Sequence, residues 1–95
     1  MLNRGLPTVT LEFPNRSRSF DEARNAVRFI GYDGMFAVPF YVMADALAGA
    51  GRAELSEADF LTAFDAERSS IHEVAREVYS NERRTSYTLT AADFR

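Results

Sequence analysis

The sequence predicts an α+β fold: a small antiparallel sheet of about four strands, one long helix packed on one face, and a short helix preceding it. Three observations predict it. Residues 8–13 alternate between apolar and polar. Asp33-Gly34 separates two further strand-like runs. From Glu57 to Tyr79 apolar residues recur at the spacing of one helix face.

The first strand is Thr8 to Phe13, with Val9, Leu11 and Phe13 on one side and Thr8, Thr10 and Glu12 on the other. Pro14-Asn15 stops it. A polar arm, Asn15 to Asn25, follows. Within it Ser19-Phe20-Asp21-Glu22 matches a capping box and is expected to open a helical turn.

Ala26 to Tyr32 and Met35 to Met43 form a hairpin about Asp33-Gly34. Val27, Phe29 and Gly31 share one face of the first strand. Phe36, Val38, Phe40 and Val42 share one face of the second. Pro39 has no N–H to give a ladder, so the second strand is expected at an edge or bulged there. Tyr41 and Met43 make its other face apolar too. That face is expected under a helix or against a second subunit.

Ala44 to Ala50 reads as a short helix closed by Gly49 or Gly51. Ser56, with Asp59 three residues on, caps the long helix. That helix is expected to run to about Asn81 and end in Arg83-Arg84, which suits its negative dipole end. Ser86 to Thr90 reads as a last strand with Tyr87 and Leu89 inward. Thr90 to Asp93 starts a terminal turn, with Phe94 tucking back. The aromatic core is expected from Phe13, Phe29, Phe40, Phe60 and Phe64.

The chain has 95 residues, one domain, with residues 1–7 expected to be a loose segment. There is no cysteine, which removes disulfides, thiol catalysis and cysteine-held metals. Small secreted domains usually need disulfides, so the cytoplasm is the expected compartment. No apolar run approaches a membrane span, and residues 1–7 lack the apolar stretch of a signal peptide. The net charge is −3, which weighs against a dedicated nucleic-acid binder. Every basic residue is arginine.

Arg68 interrupts the helical stripe. The stripe runs Phe60, Leu61, Phe64, Ile71, Val74, Ala75, Val78, and a regular pattern would place an apolar residue at 67 or 68. A guanidinium there must be paired, snorkel, or face something outside the core. One reading is a structural ion pair with Asp65, Glu12 or Asp33. Another is an anion site using the guanidinium fork. A third is a break into two helices.

His72 is the only histidine and lies one turn from both Arg68 and Arg76. Cations repel a metal, and no second histidine is present to share one. Ser69 and Ser70, on the same helix, point away from a usable hydrogen bond with it. Glu73 and Glu77 are expected on a solvated face. No catalytic constellation and no cofactor motif emerges. The arm Asn15-Arg16-Ser17-Arg18-Ser19 is either a polar loop paired with the acidic helix or a phosphate-binding segment. The candidate ligand-binding set is therefore Arg16, Arg18, Arg68 and His72.

Several stretches together resemble a known family. They are Phe13-Pro14-Asn15-Arg16-Ser17-Arg18-Ser19-Phe20-Asp21, Ala26-Val27-Arg28-Phe29 with Gly31-Tyr32-Asp33, Phe64 with Glu67-Arg68, Ile71 and Ala75, and Tyr87, Leu89-Thr90 and Asp93-Phe94. The chain from Leu11 to Phe94 resembles the small bacterial family catalogued as domain of unknown function 1488. The resemblance implies a compact single-domain α+β fold of bacterial origin. It implies that Arg68 and the Arg16–Arg18 arm belong to a family pattern. It implies no activity and no role for any residue.

The function expected is a non-catalytic interaction or regulatory module, with a homodimer or another protein as partner and no membrane. The alternative is binding of nucleic acid or a small anionic ligand through the arginines.

Overall fold

The computed structural model describes residues 11–48 and 55–94. The expected strand positions 8–10, the loose segment 1–7 and the glycine cap at 49–51 lie outside the described residues. In chain order the elements are β1 (Leu11–Glu12), β2 (Ser19–Asp21), β3 (Ala26–Asp33), β4 (Phe36–Met43), α1 (Ala44–Ala48), α2 (Glu57–Ala66), α3 (Arg68–Asn81) and β5 (Tyr87–Leu89), then a 3-10 turn (Ala91–Phe94). The α+β class stands.

β3 and β4 form the hairpin that organises the sheet. Asp33 pairs with Phe36, so the two loop residues are Gly34 and Met35, one place later than the sequence suggested. Gly34 has φ +63°, the left-handed value that a tight hairpin needs at its first loop position. The loop shifts because Asp33 stays in the strand, where its carboxylate accepts the Tyr79 hydroxyl at 2.6 Å.

β1 and β2 both pair with β3, at opposite ends of the same edge. The helical turn expected at Ser19–Glu22 is instead strand β2 followed by a tight turn. Asp21 Oδ1 accepts the Arg24 N–H at 3.1 Å, and Asn25 has φ +53°, a value Asn tolerates. Phe20 then stacks on Phe60, with ring centroids 5.5 Å apart. A strand fits because this non-local contact outweighs a local cap pattern that serves a turn equally well.

The sheet is antiparallel except at β5, which runs parallel to β4. That corrects the all-antiparallel expectation. All the described α-helices lie between β4 and β5, and a crossover of that kind returns the chain to the end where β4 began. β5 meets only Phe40 to Val42, so among the described residues β4 is an edge up to Pro39 and interior beyond it. Proline sits at the last position where the edge tolerates it.

The single long helix is also corrected: it is two. Ser56 caps α2 with a full capping box, its Oγ accepting the Asp59 N–H at 3.2 Å while Asp59 Oδ2 accepts the Ser56 N–H at 3.0 Å. At Glu67 the backbone turns to φ −109°, ψ 17°, and α3 restarts at once. α3 ends at Asn81, so Arg83 and Arg84 lie past its end rather than in its last turn. Phe64, Ile71, Ala75 and Tyr79 pack on Leu11, Val27, Phe29, Val38, Phe40, Val42, Tyr87 and Leu89 to form the core. Phe13, Phe60 and Phe94 pack against its margin.

The helical residues that join this core all meet the face of Val27 and Phe29. The opposite face of the hairpin carries Arg28, Ile30, Tyr32, Pro39, Tyr41 and Met43, each half-buried. At the hairpin tip Met35 is fully exposed and Phe36 is 65% exposed. Among the described residues, no helix is long and apolar enough to cross a membrane.

Candidate functional site

The site begins where the edge of β3 loses its partner. Residues 13–18 leave the sheet between β1 and β2 and arch over the junction of α2 and α3. Asn15 Oδ1 accepts the Ser17 N–H at 3.0 Å and shapes the arch. Two polar contacts tie it to the helices. The Arg18 fork donates to both oxygens of Asp65, at 2.9 and 2.7 Å. The Arg16 carbonyl accepts from Arg68 Nη2 at 3.2 Å.

Arg68 is 9% exposed. Nη2 also donates to Asp65 Oδ1 at 2.6 Å, and the guanidinium carbon lies 4.9 Å from the centre of the Phe64 ring. Its Nε is buried with no partner among the described residues. The pairing with Asp65 expected from sequence is present. Glu12 and Asp33 are not its partners among the described contacts. The break is present too, so two of the three readings of Arg68 coexist. α2 ends one residue after Asp65, and α3 begins with a guanidinium folded back onto that carboxylate.

Asp65 thus holds two arginines. The hydrogen bond from Arg18 lowers its pKa most, and the one from Arg68 adds to this against partial desolvation. The same bond raises the pKa of Arg18.

His72 lies one turn along α3. Its ring stacks on Phe13, with centroids 3.9 Å apart and planes 9° from parallel. Burial, then the charges of Arg68, Arg76 and Arg16, lower its pKa to about 4. At neutral pH it is an uncharged aromatic surface. Arg76 completes the group: Nε donates to the Leu11 carbonyl at 3.1 Å, and its guanidinium carbon lies 5.1 Å from the Phe13 centroid.

The structure therefore gathers all of Arg16, Arg18, Arg68 and His72 around one helix junction. Arg18 and Arg68 spend their charge on Asp65. The side chain of Arg16 is exposed, and neither Arg16 nor Arg76 has a carboxylate partner among the described ion pairs. Sequence reasoning missed Phe13 as the platform under His72, and Arg76 as a member of the group. Their signals were present, in the last residue of an alternating run and a residue one turn beyond His72. It also missed a second cluster, in which Tyr79 donates to Asp33 and the Arg83 guanidinium lies 4.4 Å over the Tyr79 ring. The bond to Asp33 raises the Tyr79 pKa.

Comparisons with known proteins bear on the fold. The model of a family described as "Protein of unknown function (DUF1488)" matches residues 11–90. The crystal structure of a protein of unknown function from that family, from Shewanella loihica PV-4, is similar with a TM-score of 0.74. It is 16% identical, and the match covers 90% of this chain and 96% of that one. No curated protein matches the chain.

Proposed function

This chain belongs to the DUF1488 family, whose function is unknown, and we propose that it is a non-catalytic interaction module of the cytoplasm that self-associates or docks another protein. One observation carries the reading. The hairpin leaves Ile30, Tyr32, Pro39, Tyr41 and Met43 half-buried on the face opposite the core, with Met35 and Phe36 exposed at its tip. Arg28 shares this face and the Arg24 guanidinium carbon lies 4.3 Å from the Tyr41 centroid, so the apolar residues carry an arginine rim, and apolar surface with a polar rim marks protein contacts. Sedimentation equilibrium tests self-association. The expected mass is about twice the 10.7 kDa of the chain, reduced to one chain by Tyr41→Glu. A monomeric wild type at all concentrations rejects the homodimer.

A second reading has its own support. Arg68, Arg76 and Arg16 lie around His72, and after burial their charges add to the lowering of its pKa; a positive field of this kind attracts phosphate. Here the binding residues are Arg16 and Arg76, with Arg18 and Arg68 shaping the junction. Salt-sensitive retardation of single-stranded nucleic acid, weakened by Arg16→Ala, is the expected outcome. No retardation at low salt rejects the nucleic-acid form of this reading.

A further inference from the structure

We propose that the gap in the β3 edge is a binding site for a main-chain carboxylate, carried by an N-acylated amino acid or by a peptide C-terminus. β1 pairs with β3 only at Tyr32 and Asp33, and β2 only from Ala26 to Arg28. Between them the arch 13–18 is drawn away toward the helix junction.

Pro39 fixes what the gap presents. It lies opposite Ile30 in the β3–β4 ladder and has no N–H, so that position is a non-hydrogen-bonded pair. The amide and carbonyl of Ile30 therefore point the other way, into the gap. Among the described residues no hydrogen bond from the arch reaches either. They form a strand edge one residue long, bounded at both ends by paired strand.

The gap opens as a groove of about 290 Å³ lined by Ser17, Ser19, Arg28, Ile30 and Tyr32 among others, just under the range of drug-sized ligand sites. Arg28 is half-buried. Its Nε donates to the Tyr41 hydroxyl at 3.4 Å, and among the described residues no carboxylate pairs with it. Its terminal N–H groups suit a carboxylate.

Arg28 and Ile30 are two residues apart, about 7 Å along a strand. One peptide unit and the reach of an arginine side chain cover that span once the guanidinium turns from Tyr41 on β4 toward the gap. A ligand with a carboxylate next to an amide meets both: the carboxylate takes Arg28 and the amide pairs with Ile30 as a strand residue would. A phosphate would use only the guanidinium. The inference rests on the reading of the chain as a binding module but not on self-association. Its test reads the Ile30 amide rather than mass, so either can fail alone.

The test is a proton–nitrogen NMR titration of the whole chain with N-acetylalanine, its carboxamide, and a short peptide ending in a free alanine carboxylate. Saturable shifts of the Ile30 amide and the Arg28 Nε–H are expected, with a dissociation constant of the order of 1 mM for N-acetylalanine. Binding should weaken roughly tenfold or more for the carboxamide and for Arg28→Gln. A peptide that binds roughly tenfold tighter than N-acetylalanine assigns the site to protein C-termini; equal affinity assigns it to small acylated amino acids. Absence of a saturable Ile30 shift with both carboxylates overturns the proposal, and so do equal shifts from the carboxamide. If Arg28→Gln does not fold, the comparison of carboxylate with carboxamide on the wild type decides alone.

Discussion

The ring of His72 lies flat on the ring of Phe13, 3.9 Å between centroids, so that α3 and the root of the arch share one aromatic surface. Burial of the ring there disfavours a charged imidazole. The unfolded chain takes up a proton at His72 near pH 6.5 and the folded chain near 4. Between these values the unfolded state holds more protons, so stability falls as pH falls. Arg68, Arg76 and Arg16 act in the same direction, by repelling the imidazolium. Chemical denaturation at pH 7 and at pH 4 should differ by about 2–3 kcal/mol from this group, allowing for the part of the ring that water still reaches. His72→Phe keeps the stack and should flatten the curve in that window. Asp65, whose pKa is lowered, adds stability that is fully present above its unfolded value of 3.8 and is lost only as pH falls below it. A curve that stays steep between pH 6.5 and 4 in His72→Phe rejects the assignment.

Asp65 and Arg68 should respond unequally to mutation. Asp65→Ala leaves a guanidinium buried without its carboxylate and releases the arch from Arg18. With Asp65 partly exposed, the expected loss is about 2–3 kcal/mol, below the full cost of breaking a buried pair. Arg68→Met removes the buried charge and the unpartnered Nε together while keeping a long side chain over Phe64. It should cost less than about 1 kcal/mol. Urea melts of the two variants check the order. A larger loss in Arg68→Met would show that the bond to the Arg16 carbonyl, rather than charge balance, holds the junction.

Gly31 is required by space. A Cβ there would lie 2.8 Å from Phe13 Cε1 and 3.1 Å from Leu11 Cδ1. Leu11 is buried and Phe13 is pinned against His72, so neither moves freely. Gly31→Ala should cost about 1–3 kcal/mol, the usual range for overpacking. Phe13→Leu in the same chain should recover part of it by withdrawing the nearest atom. Additive losses in the double variant would show that the clash lies elsewhere.

These residues also show where sequence sufficed. The break at Glu67 was only one of three readings, beside an expected single long helix; the pairing of Arg68 with Asp65 was legible because that carboxylate is within one turn. The grip of Arg18 on the same carboxylate was not, since nothing in the polar arm says which way it folds. The Ser19–Glu22 motif was misread because a serine with an acid three residues on fits a helix cap and a turn alike, and only the stack of Phe20 on Phe60 decides. The direction of β5 was hidden for a related reason. Alternation shows which face of a strand is buried, while its direction depends on how the three intervening helices return the chain. The candidate set was found as separate leads, because arginines far apart in the chain carry no local mark of sharing one carboxylate.

Pro39 links the edge of the sheet to its solution behaviour. Among the described residues β4 has no neighbour on the β5 side up to this residue, and its Ile30 pairing turns its nitrogen toward that side. A strand edge with Met35 and Phe36 exposed nearby is a template for pairing with another chain, and a missing N–H interrupts the template. Pro39→Val restores a donor and a β-branched side chain without disturbing the β3 ladder. Chemical stability should change by less than about 1 kcal/mol, while aggregation on mild heating should begin at lower temperature and concentration. Light scattering during a thermal ramp, read beside the unfolding transition, separates the two effects. If scattering begins no earlier in Pro39→Val, the edge is protected by something other than the proline.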